Sequence, residues 1–172
     1  MKKVILIILL SISAAVNTLA QEIDSLQTKS PNDRIDELSA KLDDLQNDYD
    51  YLSLHFELTT YKLELKNHLN TIDIQIEKIS TLIRTSTYDS EIYISLKENY
   101  DLDIELFDSM KELINMQLYI ADMKIKSSNF SNEQIRTLEN EIDFCKEYIP
   151  FIEKKLSNYQ NFIELYRKMR LY

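Results

Sequence analysis

The 172-residue chain contains no glycine. Glycine is the residue that reaches positive φ without strain and lets a backbone approach a phosphate closely. The phosphate-cradling loop, the dinucleotide fingerprint and the nucleophile elbow all need glycines at fixed offsets, so all three are excluded. The tightest hairpin turns lose their preferred residue as well. Only two prolines occur, Pro31 and Pro150, which leaves long stretches with no helix breaker. The single cysteine, Cys145, has no partner for an intrachain disulfide. The two histidines, His55 and His68, lie thirteen residues apart, about 220° around a helix. With no Glu-x-x-His pair in the sequence, they make no metal centre of the di-iron bundle type. Basic residues are also scarce: 20 Lys and Arg stand against 29 Asp and Glu, for a formal charge of −9. Binding to nucleic acid or anionic lipid needs clustered positive charge, so neither is an expected partner.

What is present begins with an export signal. Lys2 and Lys3 precede an apolar run from Val4 to Leu10, and Thr18 with Ala20 form a small-residue cleavage pair before polar Gln21, Glu22 and Asp24. The expected division is a signal peptide over 1–20, a polar tail over 21–30 and a helical bundle domain over 31–172. Cleavage removes two lysines and no acid, taking the charge from −9 to −11. The segment from Val4 to Val16 is shorter than the ~20 apolar residues that span a bilayer, and no later stretch is as apolar, so no membrane span is expected after cleavage. The Lys-rich opening and the Ala20–Gln21 junction resemble those of exported proteins of the Bacteroidetes. That resemblance covers the signal alone and implies a periplasmic or secreted location in a Gram-negative bacterium.

Beyond the tail the pattern is helical throughout. Ser30 followed by Pro31 is a helix-start signal. Ile35, Leu38, Leu42, Leu45, Tyr49, Leu52 and Phe56 then recur in steps of three and four, the heptad of a helix seam. Leu65, Leu69, Ile72, Ile76, Ile79 and Ile83 continue in another phase, which places a shift of the seam between Leu52 and Leu65. The polar stretch from Arg84 to Ser90 predicts a turn. A second helix is expected from about Tyr88 to Lys126, with Leu96, Tyr100, Phe107, Met110, Ile114 and Ala121 on one face. Leu102, Leu106, Leu113 and Ile120 lie beside that face, and its width predicts contact with two neighbours. Ser131 and Gln134 form a capping box ahead of the third helix. Its seam runs Ile135, Leu138, Ile142, Cys145, Ile149, Ile152, Leu156, Tyr159, Ile163 and Tyr166. Because the repeat stays in phase across Pro150, one kinked helix is expected there and not two. Two short segments, Thr71 to Glu77 and Glu91 to Leu96, alternate with a strand-like period of two, but their apolar residues also fit the flanking helical seams.

The fold expected is all-α, an elongated antiparallel three-helix bundle with coiled-coil-like packing. Helices of about 53, 39 and 39 residues do not match in length, so the second and third cover the first only back to about Leu45. Ile35, Leu38 and Leu42 are left as an uncovered stripe, unless helix one breaks at the poor helix formers Asn47 to Asp50 and folds back.

Chemistry has little support in this pattern. Asp101, Asp103, Glu105, Ser109 and Glu112 match positions of a calcium loop, but Leu106 stands where the loop needs glycine. An acidic helix face is the reading preferred. Cys145, on the third seam, reads as a small buried hydrophobe. Among the eleven tyrosines, Tyr49, Tyr159 and Tyr166 lie on seams as core, while Tyr51, Tyr88 and Tyr148 are expected as surface anchors. Asn129-Phe130-Ser131 and Asp24-Ser25-Leu26 match short glycosylation patterns. No catalytic residue, cofactor or small molecule is implied. The expected function is an exported, non-enzymatic interaction or scaffold protein, binding another protein or itself through helical seams. Ile35, Leu38, Leu42, Leu45 and Tyr51 are its candidate contact residues. A holdase-like periplasmic chaperone is the alternative. The chain resembles the helical-tentacle chaperones of outer-membrane proteins in outline, being exported, small and helical, but it lacks the strands of their trimerisation body and is acidic. A membrane-active helical protein is a further alternative, against which the acidity argues.

Overall fold

The computed structural model describes residues 30–85 and 88–171. The expected signal peptide, nearly all of the expected polar tail, the Asp24-Ser25-Leu26 pattern, and Ser86 and Thr87 of the expected first turn lie outside the described residues. Three helices follow one another, α1 (Pro31–Arg84), α2 (Ser90–Ser127) and α3 (Asn132–Lys168), with a closing 3₁₀ turn at Met169–Leu171. The fold is an all-α three-helix bundle, and no strand occurs among the described residues. Thr71 to Glu77 and Glu91 to Leu96 are helical, because a period-two run needs a strand partner and the flanking seams offer helix partners instead.

The helix starts are made by side chains. Ser30 Oγ accepts from the Asp33 amide at 3.3 Å, with Pro31 in the first turn where its missing N–H is not needed. Asp89 caps α2, its carboxylate accepting from the amides of Glu91 at 2.7 Å and Ile92 at 3.3 Å. The capping box of α3 is complete: Ser131 Oγ accepts from the Gln134 amide at 3.2 Å, and the Ser131 amide donates to Gln134 Oε1 at 2.8 Å. Helix α3 runs unbroken through Pro150, which is exposed. Pro150 cannot donate to the Lys146 carbonyl four residues back, and because both residues are exposed, water can replace the missing donor.

The chain divides into two compact units, Met1–Gln46 and Asn47–Tyr172. The described part of the first is Ser30 and the opening of α1. Residues 47–50 are helical, so the break weighed for this stretch does not form and α1 continues from Pro31 to Arg84.

Within the second unit one apolar core joins all three helices. The buried α1 residues are Leu54, Leu58, Leu65, His68, Leu69, Ile72 and Ile79. This corrects the phase read for the first half of α1. The buried seam reaches back through Leu58 and Leu54 to half-buried Tyr51, while Tyr49 and Phe56 are 63% and 42% exposed. Both phases carry apolar residues at steps of three and four, and only the position of the neighbouring helices selects one. Helix α3 follows its expected seam closely: every residue from Leu138 to Tyr166 on that seam is buried, and only Ile135 is half-buried.

Aromatic pairs mark successive layers. Near the first turn Tyr88 lies 5.4 Å from Tyr166, whose hydroxyl accepts from the Asp89 amide at 2.9 Å. In the middle His68 of α1 stacks on Phe107 of α2 at 5.6 Å, and Tyr100 of α2 meets Tyr159 of α3 edge-on at 5.2 Å. At the other end Tyr51 meets Phe130 at 6.0 Å, and Asn47 Nδ2 donates to the Asn129 carbonyl at 3.2 Å. These levels run α1 and α3 in one direction and α2 in the other. Ion pairs from Lys155 to Asp73 and from Lys111 to Glu153 tie α3 to both neighbours. Exposed pairs of this kind contribute about 0–1 kcal/mol each, so burial of the core carries the stability.

Candidate functional site

The described surface offers two apolar helix faces. The first is on the opening of α1, where Ile35, Leu38 and Leu42 are 64%, 42% and 66% exposed and Leu45 is half-buried. Four of the five candidate contact residues are thus grouped on one stripe. Tyr51 is apart from them: its ring stacks on His55 at 5.8 Å and packs against the core. Tyr88 and Tyr148 are likewise half-buried against the core and do not stand free as anchors.

The second face is on α2. Leu102, Leu106, Leu113 and Ile120 are exposed, so the wide apolar face expected to touch two neighbours touches them with only one of its two rows. Leu96, Tyr100, Phe107, Ile114 and Ala121 fill the core. Phe107, Ile114 and Ala121 each follow a residue of the exposed row by one position, about 100° around the helix. A row displaced that far cannot reach the same core. Met116, Tyr119 and Met123 extend the exposed row at 53%, 68% and 53% exposure. Met116 and Met123 fall three residues after Leu113 and Ile120, so the spacing already places them on the same row, while Tyr119 lies on its flank.

Buried polar groups form two clusters. Glu141 of α3 is buried, and its carboxylate meets His55 Nδ1 at 2.9 Å and accepts from Thr59 Oγ1 at 3.0 Å. Glu141 precedes Ile142 on the flank of the seam, at the heptad position also held by half-buried Gln134, Tyr148, Lys155 and Phe162. It is held because His55 and Thr59, one turn apart on α1, both face it. One turn further along α3, Cys145 is fully buried as expected. Desolvation first, and the Glu141 charge second, push its thiol up to about 11, which suppresses the thiolate needed for nucleophilic or redox chemistry.

The second cluster surrounds His68, which is buried, unlike the half-buried His55. Burial lowers its pKa, opposed by the nearby Asp103 carboxylate. Asp103 is raised in turn by its own desolvation, with His68 acting the other way. Tyr159, fully buried, is pushed up to about 12 by burial first and by Asp103 second.

His55 and His68 therefore serve different neighbours, as their separation around α1 requires. Among the described residues no group of three or more His, Cys, Asp and Glu side chains is placed to hold a metal ion. Asp101, Asp103, Glu105, Ser109 and Glu112 lie on the regular helix α2, with Ser109 Oγ donating back to the Glu105 carbonyl at 3.0 Å, and not on a loop that could wrap a cation. In the Asn129-Phe130-Ser131 pattern, Phe130 is buried and Ser131 caps α3. No helix among the described residues is long and apolar enough to cross a membrane. No protein-family model, curated protein or solved structure matches the chain.

Proposed function

We propose that the protein is an exported, non-enzymatic interaction protein that binds a helix of another protein, or of a second copy, along its apolar helix faces. The observation that carries this reading is the stripe of Ile35, Leu38 and Leu42, a regular heptad whose residues are 64%, 42% and 66% exposed. Single exposed leucines are ordinary, but a row of them at seam spacing is the surface that a partner helix covers in a coiled coil. Export rests on the basic and apolar opening of the sequence, ending at Ala20. The buried, protonated thiol of Cys145 and the structural roles of Glu141 and His68 leave no activated nucleophile or poised base among the groups described above.

A photoreactive amino acid placed at Leu38 or Leu42 of the full chain in its native cells tests the reading. Discrete adducts in the periplasmic or secreted fraction are expected, and adducts that recur at Leu42 after discovery at Leu38 identify the partner. Absence of adducts at both positions, with the protein present and folded, overturns it.

A further inference from the structure

The exposed row of α2 is a complete seam and not a scatter of surface residues. Leu102, Leu106, Leu113, Met116, Ile120 and Met123 follow one another at steps of four, seven, three, four and three, with Ser109 in the single polar position. Tyr119, 68% exposed, borders them. The row is about 32 Å long at 1.5 Å per residue. Its seven large side chains, about half exposed on average, present an area on the order of 700 Å², close to the ~800 Å² per partner of stable complexes.

The charges beside the row identify what covers it. Along one flank, at heptad spacing, stand Glu98, Glu105, Glu112, Tyr119 and Lys126, and all are exposed. Along the other stand Asp103, Met110, Gln117 and Lys124. Each flank is acidic toward the start of α2 and basic at its end. Such a surface is complementary to itself when reversed. Laying a second α2 antiparallel, with Leu113 of one copy against Met116 of the other, also sets Leu106 against Met123 and Ile120 against Ser109. In that register Glu105 faces Lys126 of the second copy, Asp103 is level with Lys124, and Glu112 meets the Tyr119 hydroxyl. Each contact occurs twice across the two-fold axis. Among the described residues the ion pair of Lys126 is the exposed i,i+4 pair with Asp122, which it can exchange for a partner on the second copy. A parallel pairing instead brings Glu98 against Asp103 and leaves Glu105 beside Met110, so it gains nothing from charge.

We propose that two copies of this chain associate through an antiparallel pairing of their α2 helices along the Leu102 to Met123 seam. The proposal rests on the reading that the protein works through exposed helix faces, but it uses a face separate from the α1 stripe.

Sedimentation equilibrium of the full chain at ~0.1 M salt, where surface charges are only partly screened, tests it. A dimer is expected. Leu106→Asp with Leu113→Asp converts it to a monomer of unchanged helicity, since both positions are exposed in the single chain. Glu105→Lys alone and Lys126→Glu alone each weaken the dimer about tenfold, by replacing two attractive contacts with repulsive ones. The double variant Glu105→Lys with Lys126→Glu recovers the affinity, a rescue that only the antiparallel register provides. A wild-type monomer, a dimer that survives Leu106→Asp with Leu113→Asp, or failure of the charge-swapped pair to recover overturns the proposal. If the dimer is lost instead on Leu38→Asp with Leu42→Asp, the α2 pairing is refuted while binding through the α1 stripe stands.

Discussion

Tyr159 and Tyr166 lie on the same seam of α3, two turns apart, and both are fully buried. Removing the hydroxyl from each is the same chemical change, and the structure assigns the two changes different outcomes. The Tyr166 hydroxyl accepts from the Asp89 amide at 2.9 Å, fastening the start of α2 to the end of α3. Tyr166→Phe keeps the ring against Tyr88 and loses this bond, which is worth about 1 kcal/mol and somewhat more if the amide is left without water. For a chain of this size that corresponds to a fall in melting temperature of about 2–6 °C. The Tyr159 hydroxyl is buried with no hydrogen-bond partner among the described residues. Tyr159→Phe retains the edge-on contact with Tyr100 and removes a polar group whose desolvation already costs about 1–3 kcal/mol. Its unfolding free energy is expected to stay level or rise by up to about 1 kcal/mol. Urea unfolding followed by far-ultraviolet circular dichroism measures both, and equal slopes would show that the compactness of the unfolded state has not changed. A loss on Tyr159→Phe as large as that on Tyr166→Phe would refute the reasoning, because it would mean that the buried hydroxyl is satisfied.

Two further outcomes follow from the buried groups. Burial lowers the pKa of His68 in the fold, so the unfolded chain binds that proton more readily: stability is full above the ordinary value of 6.5 and is lost as pH falls below it. Asp103 acts in the opposite sense, because its carboxyl is raised above the ordinary 3.8: the fold gains stability as pH falls through the raised value, and the gain is complete once pH is below 3.8. Urea midpoints at pH 7.5 and 5.5 should therefore differ, and His68→Phe, which keeps the stack on Phe107, should flatten the difference. An unchanged difference would remove His68 as its source. Cys145, buried with its thiol pushed up to about 11, should react with a disulfide reagent at pH 8 only as fast as the native protein unfolds. Labelling within seconds, without denaturant, would contradict that burial.

Much of the fold was legible because long helices announce themselves locally. Ser30 with Pro31, and Ser131 with Gln134, are start signals whose chemistry lies within four residues, and both form as their spacing requires. The α3 seam could be read residue by residue, because its steps of three and four run unbroken from Ile135 to Tyr166. The opening of α1 was harder, since Tyr49, Leu52 and Phe56 repeat as regularly as Tyr51, Leu54 and Leu58. Both rows satisfy the heptad, and the contacts with Phe130 and Glu141 are what bring Tyr51 and its neighbours inward. Glu141 was legible as a flank of the α3 seam, but its burial was not. A buried glutamate is acceptable only when its partners converge on it, and His55 and Thr59 lie more than eighty residues away in the chain.

By itself the sequence determined that the chain is helical, where the helices begin and end, and that it has no glycine-built site. Those are properties of neighbouring residues, set by backbone propensity, capping and the 3.6-residue period. Only the tertiary structure decided which apolar rows are covered. Helix α2 carries two rows about 100° apart, and a single core shared by three helices can take only one of them. Phe107, Ile114 and Ala121 were taken into that core, while Leu106, Leu113 and Ile120 remained outside it, on the exposed face proposed above for a second copy.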